Sequence, residues 1–185
     1  MNVIIKNIRK ENVRNIPKPC KSCLYWEFPE DFEAAQKKSL ELKEKIEFAA
    51  KKAAWFLQTQ KNFGNCGKIV YFNNIPVGYA QYAPSNMLPQ VESYGSNRIG
   101  RREDGVVFLS CLFIANKEFR RKGLGTKLLN SVIADLNRRG FKAVETFARR
   151  EIANNPSGPL KFYLNNGFHV KDETNPDFPL VRLDF

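Results

Sequence analysis

The chain has 185 residues, 43% apolar and 26% charged, which is the make-up of a soluble globular protein with enough length for a core of its own. Its net charge of +11 says that it meets anions, and leaves open whether these are nucleic acid, anionic lipid, an acidic substrate or a polyphosphate cofactor. Four cysteines are too few for a disulfide scaffold at this size, and the longest apolar run, Val106 to Ala115, is too short to cross a bilayer.

The first ten residues, MNVIIKNIRK, alternate apolar and polar and lack the apolar stretch of a secretion signal, so a cytoplasmic location is expected. Residues 3–10 read as a first strand. Residues 11–29 are irregular, because Pro17, Pro19 and Pro29 break any helix. Residues 30–59 read as one long helix, with Phe32, Ala35, Leu42, Ile46, Ala49, Ala53 and Leu57 as its apolar stripe and the intervening Lys and Glu residues as a solvated face. Two β-rich runs then flank Asn73-Asn74, a hairpin signal. Residues 84–104 form a long polar loop, a length that often carries function. A buried strand follows at 106–115. A helix over 123–139 has Leu124, Leu128, Val132, Ile133 and Leu136 on one face and stops at Gly140. A strand at 141–148, a short helix at 157–166 ended by Gly167, and strands at 168–173 and 179–185 close the chain. The order predicts a single α/β domain over 1–185 around one mixed sheet, with the cysteine-containing segment 11–29 as an irregular insertion.

The segment Phe119-Arg120-Arg121-Lys122-Gly123-Leu124-Gly125-Thr126 carries the most chemistry. It follows a buried strand and opens an amphipathic helix. Free N–H groups at a helix start, reinforced by the helix dipole, bind phosphate. Gly123 and Gly125 leave room for a diphosphate to approach, Arg120, Arg121 and Lys122 add charge beside it, and Thr126 adds a hydroxyl. The spacing is neither GxxxxGK[ST] nor GxGxxG. Taken alone, these residues also read as a basic surface turn ahead of a helix.

This segment resembles the [RQ]xxGx[GA] motif of the GNAT superfamily of N-acetyltransferases, here Arg120, Gly123 and Gly125. A second segment, Phe162-Tyr163-Leu164-Asn165-Asn166-Gly167-Phe168, is similar to the family's FYxxxGF stretch. The likeness covers residues 68–170 well and the first third loosely. It implies an α+β fold: a mixed, mostly antiparallel central sheet, flanked by helices, with a splayed pair of parallel strands. It implies acetyl-CoA as co-substrate, with its arm pairing to the main chain of Leu112, Phe113 and Ile114 and its diphosphate held by Arg120, Arg121, Lys122, Gly123, Leu124, Gly125 and Thr126. Tyr163 matches the tyrosine that returns a proton to the departing thiolate.

No base is marked as clearly. Glu145, mid-strand in KAVETFA, is a candidate for collecting the amine proton or binding the acceptor, and reads equally as solvent-facing or paired with an arginine. Glu92, Glu103 and Asp104 are weaker candidates. Asn154 and Asn155 stand near an asparagine that contacts the cofactor in many family members, with Pro156 in the nearest register. Cys20-Lys21-Ser22-Cys23 lacks a second pair, so no metal is expected. His169 reads as a core or edge residue. Arg98, Arg101 and Arg102 form a second basic cluster on the long loop, read as solvated. The function expected is acetyl transfer from acetyl-CoA to an amine on a small molecule or peptide. The alternatives are a non-catalytic acyl-CoA-binding module and, more remotely, a basic nucleic-acid-binding protein, for which no recognition element is visible. Neither nucleic acid nor membrane is an expected partner. Acceptor, acyl length and oligomeric state, a homodimer included, are left open by the sequence.

Overall fold

The computed structural model describes residues 2–37, 39–94, 103–151 and 157–185. The basic cluster Arg98, Arg101 and Arg102 and the trio Asn154, Asn155 and Pro156 lie outside the described residues. Seven strands, β1 (Val3–Asn7), β2 (Gly67–Phe72), β3 (Ile75–Ala83), β4 (Val106–Ile114), β5 (Ala143–Phe147), β6 (His169–Asp172) and β7 (Leu180–Asp184), form one sheet in the order β1-β2-β3-β4-β5-β7-β6. Every neighbouring pair is antiparallel except β4 and β5. The mixed sheet is the one expected, and strands from both ends of the chain share it. Among the described residues, no helix is long and apolar enough to cross a membrane.

The expected long helix is two helices, α1 (Pro29–Gln36) and α2 (Leu42–Phe63). The break has a local cause. Glu41 caps α2 through a reciprocal box in which its own N–H donates to Glu44 Oε2 at 3.0 Å. The expected stripe also fails at its start: Leu42 and Ile46 are 74% and 61% exposed, and α2 buries Lys52, Phe56 and Thr59 instead. Periodicity alone sets a lysine outside. Here Lys52 turns inward because Glu27 of the N-terminal segment meets it, Nζ to Oε1 at 2.5 Å, with both side chains at most 1% exposed. Residues 11–28 carry short 3-10 turns at Val13–Asn15 and Cys20–Ser22, and Pro29, expected to break a helix, opens α1. The segment also builds core, burying Val13, Ile16, Cys20, Leu24 and Trp26.

Two apolar layers cover the sheet. On one face, α3 (Leu124–Arg138) sets Leu124, Leu128, Leu129, Val132 and Leu136 against Val77, Leu109 and Val144, joined by Tyr163 of α4 (Leu160–Leu164). Spacings of three and four put these leucines on one stripe, and each buried side chain contributes ~1.5–3 kcal/mol of burial free energy. Far along α3, buried Asp135 accepts from the Tyr82 hydroxyl at 3.0 Å and Asn65 Nδ2 at 3.1 Å, fixing the helix on the sheet. The other face is aromatic: Trp26, Phe56, Tyr79, Phe108 and Phe147 are buried under α2 and the N-terminal segment. Tyr94 stacks on Phe147 at 4.4 Å, and its hydroxyl meets that of Tyr25 at 2.5 Å. The CKSCLYWE stretch and the 84–94 stretch therefore pack on each other. The hairpin turn at Asn73-Asn74 holds both residues at positive φ, 47° and 66°, as a two-residue hairpin turn requires. His169 lies on edge strand β6.

Candidate active site

β4 and β5 begin as partners and then part. Their register runs Val106 to Ala143, Val107 to Val144 and Phe108 to Glu145, and stops there, while β4 continues to Ile114 and β5 to Phe147. The cause is a bulge in β4. β3 pairs Gln81 with Cys111 and Tyr82 with Leu109, so Ser110 is left over, and its hydroxyl donates to Gln81 O at 3.1 Å. A bulge bends its strand and sharpens the local twist. At the fork, Thr146 Oγ1 donates to Leu109 O at 2.7 Å, satisfying a carbonyl that lacks a strand partner.

The main chain of β4 presents an open edge beyond the fork. Ala115 N–H donates to Val77 O at 2.8 Å, so by alternation the groups of Phe113 face β3 and those of Leu112 and Ile114 face the gap. Of the three residues expected to pair with a ligand, two offer their backbone to it. Ile114 O also accepts from Arg120 Nε at 2.9 Å, and the Arg120 guanidinium lies 5.3 Å from the centroid of the Phe113 ring. Arg120 thus fastens the glycine turn to the end of β4.

The glycine turn opens a helix, as the sequence places it. Gly123, at φ 74°, is the residue before α3, and the first intrahelical bond runs from Lys127 N–H to Gly123 O at 3.0 Å. The amides of Leu124, Gly125 and Thr126 therefore have no acceptor within the helix. No atom lies within 4 Å of where a Cβ on Gly123 would stand, while Gly125 faces the Phe162 ring of α4 at 3.6 Å. Gly123 has a second reason to be glycine, because its φ is left-handed. Arg121 and Lys122 are exposed beside this opening, and Leu124 is buried as its anchor.

Tyr163 is 1% exposed, with its hydroxyl beside Thr146 and the Gly158 main chain near the fork. Burial pushes the phenol up to about 12, against the pull of those two contacts, so it keeps its proton at neutral pH. Sequence reasoning missed Thr146, Gly158 and Ser110. Thr146 stands one residue from Glu145, and its orientation follows only from strand alternation around a fork that one sequence does not reveal.

Glu145 is at the last paired position of the fork and is fully buried. Its Oε1 accepts from Lys171 Nζ at 2.5 Å and Arg182 Nη1 at 3.1 Å. Arg182 also pairs with Glu103 at 2.6 Å and with Asp184 at 2.6 Å. Between facing solvent and pairing with an arginine, the structure realises the pairing: the carboxylate ties β5 to β7 and β6. Glu103 joins the same network, where Arg182 holds its carboxyl down at about 2. The four cysteines are free thiols. Burial raises the thiols of Cys20 and Cys23, and lifts those of Cys66 and Cys111 to about 12. Among the described residues, no group of three or more His, Cys, Asp or Glu side chains is placed to hold a metal ion.

The model of the acetyltransferase (GNAT) family matches residues 20–168, most of the chain, and the chain belongs to that family. Among curated proteins none matches it. Solved structures share the whole fold at low identity. The PaiA N-acetyltransferase of Thermoplasma acidophilum, in complex with coenzyme A, superposes with a TM-score of 0.64 at 14% identity over 100% of both chains. A GNAT-family acetyltransferase from Brucella melitensis, in complex with acetyl-CoA, gives 0.56 at 14% identity over 100% of this chain and 88% of that one. An acetyltransferase from Thermus thermophilus gives 0.56 at 15% identity over 100% of this chain and 98% of that one. At these identities the likeness establishes the fold.

Proposed function

We propose that this protein transfers the acetyl group of acetyl-CoA to a primary amine, with the thioester seated at the β4–β5 fork. One observation carries the reading: a sheet that opens between two parallel strands, with unpaired helix-start amides at the wide end and a buried, protonated phenol at the base. The coenzyme A and acetyl-CoA held by the Thermoplasma and Brucella relatives support the same donor here.

The amides of Leu124, Gly125 and Thr126, with Arg121 and Lys122, take the diphosphate. The arm pairs with Leu112 and Ile114 as an added strand would. An edge-facing N–H polarises the thioester carbonyl, the neutral amine attacks, and the C–S bond breaks. Tyr163 then protonates the thiolate; the proton that the nitrogen sheds on becoming an amide passes through water and restores the phenol, and the amide product and free coenzyme A leave. Free thiols on a chain of this size fit a reducing, cytoplasmic setting.

The test is Tyr163→Phe. Acetyl transfer, read by thiol release over a panel of amines, should fall ~10²–10⁴-fold while coenzyme A affinity holds. Unchanged turnover removes Tyr163 from the chemistry. Coenzyme A binding with no transfer to any amine by the wild type would point to the non-catalytic binding module instead.

A further inference from the structure

Among the described residues, Arg149 is a buried cation that no acid meets. It follows β5 directly, and its main chain is fixed on the gap side: Arg149 N–H donates to Gly158 O at 3.0 Å and Leu160 N–H donates to Arg149 O at 2.7 Å. The residue is 5% exposed, and Nε and Nη1 are buried without a hydrogen-bond partner. Arg182 makes the contrast. It is buried on the same strand pair and is met by Glu103, Glu145 and Asp184. A buried guanidinium with no anion is costly to keep, and proteins pair such groups. Burial draws Arg149 below the ordinary arginine value.

Its place in the sheet says which ligand it faces. Along β5, Val144 and Ala148 belong to the α3 layer, and Phe147 belongs to the aromatic layer. Alternation carries Arg149 to the face of Phe147, beyond the fork and away from α3. The diphosphate site lies at the start of α3, so that anion is already provided for. With the cofactor's phosphates assigned to the α3 side, Arg149 is left for an anion carried by the acceptor.

We propose that Arg149 receives a carboxylate carried by the amine acceptor, so that the substrates are amines bearing a carboxylate, such as free amino acids or short peptides. The proposal rests on the acetyl-transfer reading above and names its substrate class. A carboxylate matches the guanidinium in charge and supplies an acceptor for Nε or Nη1, the two orphan donors, which point to different sides of the group.

The experiment compares acetylation of L-amino acids and dipeptides with that of their carboxamides, in wild type, Arg149→Met and Arg149→Lys. In the wild type, kcat/KM should favour the carboxylates by ~10–100-fold, mostly through KM. Arg149→Met should erase the preference, leave transfer to the carboxamides unchanged and leave coenzyme A affinity unchanged. Arg149→Lys should restore part of the preference. If Arg149→Met weakens coenzyme A binding and lowers every acceptor equally, the guanidinium serves a phosphate of the coenzyme and the proposal fails. A second readout needs no variant: the wild-type Tm in coenzyme A should rise further with an amino acid than with its carboxamide. Equal Tm values and equal kinetics for the two series overturn the proposal. Absence of transfer to all amines with a carboxylate-specific Tm rise would instead sink the enzyme reading and leave the anion site standing.

Discussion

Replacing Lys52 by Met removes the cation from the most deeply buried ion pair in the described structure. Lys52 Nζ donates to Glu27 Oε1 at 2.5 Å and to Cys23 O at 3.0 Å, and Gln81 Nε2 also donates to Glu27 Oε1. Glu27 Oε2 already lacks a partner. Met conserves the bulk of the side chain and strands a buried carboxylate, a change that costs ~3–5 kcal/mol. At this chain length each kcal/mol moves Tm by ~2–4 °C, so the variant should melt roughly 6–20 °C lower. Urea unfolding of Lys52→Met, Glu27→Leu and the double variant completes the cycle, and the double variant should be more stable than Lys52→Met because it buries no lone charge.

The pH dependence has a definite sign. Burial works to lower the Lys52 value, but the attraction of Glu27 and its neighbours outweighs it, and the net shift is upward from 10.5. The pair's stabilisation is therefore complete below the unfolded value and is lost as pH climbs through the folded one. Wild type should lose stability above ~10.5 by this route and Lys52→Met should not. A loss under ~1 kcal/mol in Lys52→Met, or a double variant no better than that single one, would refute the reasoning.

Gly158→Ala would place a Cβ 3.0 Å from Tyr163 Cε2 and 3.2 Å from its hydroxyl, so the phenol must shift by a few tenths of an ångström near the fork. Turnover should drop by up to ~10²-fold with coenzyme A affinity nearly unchanged, as steady-state kinetics and calorimetry would show. Glu103 ionises at about 2 because its carboxylate accepts hydrogen bonds from the Arg182 guanidinium, so it stabilises the fold above 4.5 and that contribution disappears as pH falls toward 2. Acid unfolding of Glu103→Gln should accordingly be shallower between those values than that of wild type.

The sheet and the glycine turn were legible because their signals are local. Alternation marked the strands, Asn73-Asn74 marked the hairpin, and Gly123 ahead of Leu124, Leu128, Val132 and Leu136 marked a helix start beside a buried strand. The inward turn of Lys52 was not legible, since it depends on a glutamate 25 residues away. For the same reason the apolar stripe of α2 was misplaced, and Leu42 and Ile46 were counted as core although they face solvent. In the site, two residues of the motif at the turn have roles their spacing did not convey. Arg120 spends its Nε on Ile114 O, and Gly123 is needed for its backbone angle as well as for room. Glu145 was noticed as a carboxylate in a strand. Its meaning came only from register, which sets it opposite Arg182.

Capture of coenzyme A by main-chain groups at the α3 start and along the open edge of β4 can be followed by amide NMR of the labelled protein during a coenzyme A titration. The largest shifts and the strongest gain in exchange protection should fall on Gly123, Leu124, Gly125 and Thr126, and on Leu112 and Ile114, with Phe113 less affected. Saturable binding that leaves those amides unmoved and perturbs another part of the sheet would contradict capture at those groups.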